Sequence, residues 1–232
     1  MKKILVIDGN SIINRAFYGI RALSNASGQP TNAIYGLINI VSRQIEEIAP
    51  DYVAAAFDLK APTFRKKIFE GYKATRHPTP PDLLAQFDGA KECLRAMGVH
   101  TIEFEGYEAD DLLGTLACRA QDLEDTHAYI LSGDRDLLQL ISDKISVLLV
   151  KSGETIEYDT ARFTDDWGIS PEQLVDAKAL MGDSSDNIPG VPGIGEKTAL
   201  KLIAEFIRLA VVFLKILALL ICKTNKSFTL KV

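Results

Sequence analysis

The sequence predicts an α/β protein with a mostly parallel sheet flanked by helices. Three observations carry this. Short β-branched or apolar runs alternate with longer helical patterns, the order that gives parallel strands joined by crossover helices. Acidic residues recur at or just past the ends of those runs, where such sheets place their sites. The composition, 47% apolar and 25% charged over 232 residues, excludes a disordered chain and suffices for one large domain or a domain with an appendage.

The first run, "ILVI" at 4–7, follows two lysines directly and ends on Asp8, so the opening is a strand rather than a signal peptide. A helical pattern follows near 32–48, then "YVAAAF" at 52–57, which ends on Asp58. The next helical pattern lies near 82–97. "HTIEF" at 100–104 then leads into "EFEGYEADD", where Glu103, Glu105, Glu108, Asp110 and Asp111 crowd nine positions without a cation, and a helical pattern covers 109–122. "AYIL" at 128–131 is followed by "SGDRD" with Asp134 and Asp136, and "SVLLV" at 146–150 precedes a helical pattern at 171–181. "MGDSSDNIPG" then adds Asp183 and Asp186, which share a face if that segment is helical.

An acid after a strand is usually a helix cap or turn residue. Here too many of them reach one sheet edge, and two unit charges about 4 Å apart at an effective dielectric near 20 repel by about 4 kcal/mol. Such acids are expected to bind hard divalent cations. His77, His100 and His127 are isolated, and Cys93, Cys118 and Cys222 form no CxxC, so all-oxygen ligation points to Mg²⁺ or Mn²⁺ rather than zinc. The number of acids exceeds one ion's needs, and two or more ions about 4 Å apart would serve phosphodiester hydrolysis. "DGNSI" lacks the second acid of a DxD phosphatase loop, and no GxxxxGK[ST] loop occurs.

The net charge of −5 hides a segregated pattern. "KAPTFRKKIFEGYKATRH", 60–77, carries Lys60, Arg65, Lys66, Lys67, Lys73 and Arg76 against Glu70 alone, with Phe64, Phe69 and Tyr72 interleaved as candidate stacking surfaces. "HPTPP" breaks this segment, which is expected to rise above the sheet. "PGVPGIGEKTALKLIAEF", 189–206, places Gly190, Gly193 and Gly195 in a tight turn opening a helix, where backbone N–H groups can meet a phosphate.

"VIDGN", "FDLKAPTFR", "GYKATR", "GYEADD", "SGDRDLLQL" and "MGDSSDNIPGVPGIGEKTA" together resemble the 5'-nuclease family, in particular the 5'-3' exonuclease domain of bacterial DNA polymerase I, with flap endonucleases as relatives. The resemblance covers residues 1 to about 206. It implies a PIN-like 5'-nuclease fold with a helical arch at about 60–90 on a catalytic domain of residues 1–180, and an incomplete helix-hairpin DNA-binding element over 181–206. It implies Mg²⁺-dependent, structure-selective hydrolysis at DNA 5' ends in primer removal and repair. Asp8, Asp58, Glu108, Asp110 and Asp111 resemble one metal group, and Asp134, Asp136, Asp183 and Asp186 a second. By the same resemblance Asp8, Asp58, Asp110, Lys73 and Arg76 are expected to carry the catalysis. Tyr72, Lys73 and Arg76 resemble residues that handle the 5' end, and Arg65 is a further expected DNA contact. Gly190, Gly193, Gly195 and Lys197 resemble an element that grips the duplex, a place where the family often holds K⁺.

The partners implied are 5'-flap DNA and RNA–DNA primer junctions, with no membrane, for a monomer in the bacterial cytoplasm near the nucleoid. Residues 207–232, "IRLAVVFLKILALLICKTNKSFTLKV", depart from the family pattern and suggest a truncated or frameshifted end. The apolar stretch is shorter than the roughly 20 residues of a membrane span, and it is expected to drive self-association. Two rival readings remain: a branched-DNA-binding module with little turnover, and a phosphatase of small substrates, which the basic segment and glycine turn disfavour.

Overall fold

The structure, a computed structural model, describes residues 1–151 and 153–206. The expectations for the apolar tail lie outside the described residues. Strand β1 (Lys2–Asp8) runs into helix α1 (Gly9–Gly19), and α2 (Asn32–Ile48) leads back to β2 (Tyr52–Ala56). Then come α3 (Phe64–Ile68), α4 (Pro81–Leu84), α5 (Phe87–Ala96), β3 (His100–Ile102), α6 (Ala109–Gln121) and β4 (Thr126–Ser132). A 3₁₀ turn (Arg135–Leu140), β5 (Ile145–Lys151), β6 (Glu154–Tyr158), α7 (Thr160–Trp167) and α8 (Leu174–Met181) follow, and a last helix is described over 196–206.

The sheet order is β3-β2-β1-β4-β5-β6, parallel except for the antiparallel β5–β6 pair. Each buried strand alternates its side chains between two cores, as the two-residue period of a strand requires. On one face Leu5, Ile7, Leu131 and Leu148 pack under α1, α2 and α5. On the other, Val6, Ile130 and Val147 pack against α6, Phe163, Leu174 and Ala199. The chain builds β2 and β3 on one side of β1 before crossing to β4 on the other. The strand order therefore reverses between β1 and β4, which opens a crevice at their carboxyl ends.

Three expectations are corrected. The helix expected over 82–97 divides into α4 and α5, because Gln86 between them is buried and its Oε1 accepts the N–H groups of Ala33 and Ile34 at 2.8 and 3.3 Å, capping α2 from a distance. Of the basic segment, only Phe64–Ile68 is helical, and the chain then turns through residues 70–75. The segment 183–188 is not helical: Asp183 and Ile188 exchange backbone hydrogen bonds of 2.8 Å across a tight loop. Among the described residues no helix is long and apolar enough to cross a membrane.

Candidate functional site

Asp8 ends β1 and caps α1, with its Oδ1 accepting from Ser11 N at 2.9 Å and its Oδ2 from Ser132 Oγ at 2.6 Å. Ser132 ends β4, so this bond ties the two strands at the switch point, and its Oγ also accepts Asp134 N at 2.9 Å. Asp134 caps the 3₁₀ turn by accepting from Asp136 N at 2.9 Å. Asp58 Oδ1 accepts Ala109 N at 2.7 Å, beside Glu108, the cap residue of α6. The capping role and the convergence at the sheet edge are therefore properties of the same side chains. One cleft of about 1410 Å³ is lined by Asp8, Asp58, Glu108, Asp110, Asp134, Asp136 and Asp183.

The electrostatics of this edge are those of acids short of cations. Burial, offset in part by the hydrogen bonds from Ser132 and Ser11, pushes the Asp8 carboxyl up to about 6. Burial and then the charges of Asp8 and Asp134 push Asp110 up to about 8, against the opposing pull of Lys73. Among the described residues, Asp8, Asp58, Asp110 and Asp134 have no Lys or Arg within ion-pair distance, and no three His, Cys, Asp or Glu side chains are grouped closely enough to hold an ion between them. The donor set fits a hard divalent cation in chemistry: it is all oxygen and under-compensated. An open cleft suits Mg²⁺, which keeps several of its waters and uses only one or two carboxylates.

The basic segment folds down onto this edge. Arg65 forks onto Asp111 with two bonds of 2.7 Å, and Asp111 Oδ2 also accepts Glu108 N at 3.0 Å. Both Asp111 oxygens are thus committed outside the cleft wall. Tyr72, 7% exposed, donates its hydroxyl to Glu108 Oε2 at 2.8 Å, so its ring is no open stacking surface. Phe64 and Phe69 are exposed. Lys73 Nζ lies 3.0 Å from Glu108 Oε1 and borders the cleft. Its backbone is left-handed, φ 54°, an uncommon conformation for a residue other than glycine, and its N–H donates to Asp186 O at 2.9 Å. Arg76 Nη2 binds Asp186 Oδ1 at 2.5 Å. Asp183 faces the cleft while Asp186 is held by Arg76, so the two acids do not act from one helical face.

The glycine turn divides by environment. A Cβ on Gly190 would lie 2.3 Å from Met181 C and 2.4 Å from Gly182 N, so this glycine serves a close backbone approach. Gly193 needs its positive φ of 81°, and the space beside Gly193 and Gly195 is open. Lys197 is exposed on the first turn of the helix 196–206.

Four cleft residues escape the sequence reading. Asn10 accepts Asp58 N at 3.0 Å, Arg15 donates to Gly133 O at 2.5 Å, Arg135 reaches Glu196 at 3.4 Å, and Lys178 sits between Asp136 and Asp183. Their signal, a polar residue near an acidic motif, is too common to single them out. Only the fold brings them to the edge.

Known proteins match this chain over most of its length. The 5'-3' exonuclease N-terminal resolvase-like domain matches residues 3–168, and the 5'-3' exonuclease C-terminal SAM fold matches residues 169–227, past residue 206 where the motif resemblance stops. The chain is 47% identical over 207 residues to DNA polymerase I of Bacillus caldotenax, covering 88% of this chain and 24% of that protein. It is 43% identical over 212 residues to a 5'-3' exonuclease of Bacillus subtilis (strain 168), covering 88% and 70%. It thus spans about a quarter of the polymerase relatives. Among solved structures, T5 5'-exonuclease with divalent metal ions (zinc) bound overlays with a TM-score of 0.70 at 25% identity, over 88% of this chain and 76% of that one. The catalytic core of Rad2 in complex with DNA substrate overlays at 0.57 and 17% identity, over 88% and 61%, a likeness of fold alone.

Proposed function

Because the chain belongs to the 5'-3' exonuclease family, we propose that it is a Mg²⁺-dependent, structure-selective 5' nuclease that hydrolyses phosphodiesters at DNA 5' ends and flaps, with primer removal and repair as its setting. The observation that carries this reading is the convergence of under-compensated Asp8, Asp58, Asp110 and Asp134 at the β1/β4 switch point, with Lys73 beside them. The relatives named DNA polymerase I and 5'-3' exonuclease, and the zinc-bound neighbour, support it.

Asp8, Asp58, Asp110 and Asp134 would surround one ion, one or two of them binding it directly beside its own waters, and Asp136 and Asp183 would hold a second. Glu108, whose two oxygens already meet Lys73 and Tyr72, would border the first. Asp111 and Asp186 instead orient Arg65 and Arg76. Bound ions supply a water activated near neutral pH and offset charge on the leaving oxygen. The chain's own groups do the rest. Lys73 and Arg76, on the wall of the cleft, offer cations to the scissile phosphate. The open backbone at Gly193 and Gly195, with Lys197, would meet a duplex phosphate at the start of the helix 196–206. We place the protein in the cytoplasm as a monomer, and place K⁺, where present, at the glycine turn.

A 5'-labelled flap incubated with EDTA-stripped protein, with and without Mg²⁺, tests the proposal. Mg²⁺-dependent release of a short labelled product is expected. Tight flap binding with no cleavage at saturating Mg²⁺ would replace the nuclease by a branched-DNA-binding module. Steep loss of flap binding with salt separates both from a small-substrate phosphatase.

Lys73→Ala and Arg76→Ala are expected to slow single-turnover cleavage by about 100-fold while weakening flap binding only a few-fold, since a cation at the reacting phosphate acts mainly in the transition state. Unchanged rates at saturating enzyme would make both residues structural tethers to Glu108 and Asp186.

A further inference from the structure

The two halves of the acidic edge are compensated differently. Asp136 comes from the 3₁₀ turn after β4 and Asp183 from the loop after α8, and between them stands Lys178 of α8. Its Nζ lies 2.6 Å from Asp136 Oδ1 and 2.8 Å from Asp183 Oδ2. Asp183 Oδ1 is already occupied: it accepts from Ser185 N at 2.8 Å, Ser185 Oγ at 2.7 Å and Asp186 N at 3.2 Å. Among the described residues, Lys178 makes the ion pairs recorded for both acids.

From this juxtaposition of one ammonium and two carboxylates in the cleft, we propose that Lys178 is a positioning residue that holds the place of the second divalent ion. An ion in this position binds only as Lys178 withdraws. The inference rests on reading the acidic edge as an ion site. The geometry requires the exchange, because Mg²⁺ binds carboxylate oxygens at about 2.0–2.1 Å and would claim the space and the lone pairs that Nζ now uses. A +1 and a +2 charge would also repel there with little solvent between them. Lys178 can leave, since its flexible four-carbon stem and rotating donors tie it to no fork geometry. While it stays, it keeps two like charges together and fixes the 183–188 loop against the 3₁₀ turn. The second ion's apparent affinity is therefore lowered by the fraction of molecules in which Lys178 occupies the position.

Titration with Mn²⁺, following free ion by electron paramagnetic resonance, tests this on wild type, Lys178→Met and Lys178→Gln. Wild type is expected to bind one ion well and a second weakly. Both variants are expected to keep the first and to bind the second about tenfold or more tightly, because a competing cation is gone. First-site occupancy at the wild-type level certifies that a variant is folded, and Gln keeps an amide donor to the acids if Met does not fold. Thermal unfolding gives a second readout. In EDTA the variants should melt below wild type, and saturating Mn²⁺ should narrow the gap. Variant isotherms that superimpose on wild type overturn the proposal while leaving the acidic edge an ion site. A wild type that binds no Mn²⁺ overturns both.

Discussion

Asp110→Asn is expected to lower flap cleavage on the order of a thousandfold or more, with flap binding in Ca²⁺ or EDTA within a few-fold of wild type. Asp110 lies within the fields of Asp8, Asp58 and Asp134, and burial with those charges holds its carboxyl up to about 8. Asparagine keeps the shape and one oxygen but removes the charge an ion would use. The same change relieves repulsion in the ion-free protein. In EDTA at pH 8 the variant should therefore melt no lower than wild type, and the rise in melting temperature that Mg²⁺ gives wild type should largely vanish. Lost activity with unchanged or raised stability separates a ligand from a structural acid. Cleavage at the wild-type rate in Mg²⁺ would remove Asp110 from the ion site.

The strands were legible because their signal is local. β1, β2, β4 and β5 are short apolar runs, and an acid at or just past the end of three of them already marks the edge where the site forms. α1 was not legible from its pattern. It starts without a linker after β1, on "GN", and its buried stripe of Ile12, Ile13 and Ala16 is short. Edge strand β6 is polar and only half-buried, which weakens the apolar signal that marks a strand. α7 did carry local signals, Asp159 as its cap and Gly168 in the left-handed position after it. The site shows the same division. The convergence of acids followed from strand ends. Which acids remain available did not, because Arg65–Asp111 and Arg76–Asp186 join residues 46 and 110 positions apart. Glycine patterning likewise identified the turn but assigned Gly190 to phosphate contact, whereas its environment is the backbone of α8.

Gly190→Ala is expected to destabilise the protein by about 3 kcal/mol, since overpacking against atoms that cannot shift costs about 1–3 kcal/mol and sometimes more. An added methyl would meet Met181 C, Gly182 N and Met181 O at 2.3 to 2.4 Å, all of them backbone. The reverse contact is equally close, with a Cβ on Gly182 falling 2.3 Å from Gly190 N, and Gly182 itself sits at φ 72°. Neither side can yield without opening the Val191 N to Leu180 O bond of 2.8 Å or the Asp183–Ile188 bridge. For a domain of this size the loss corresponds to a drop in melting temperature of about 6–12 °C. Cleavage should fall as well, because that bridge fixes Asp183, the partner of Lys178 and a proposed ion ligand. Gly195→Ala is the control: its Cβ would have no neighbour within 4 Å, so its melting temperature should stay close to wild type while any loss appears in duplex binding. Equal melting temperatures for the two variants would show that 181–182 and 190 separate at low cost, and the rigid link between α8 and the glycine turn would have to be abandoned.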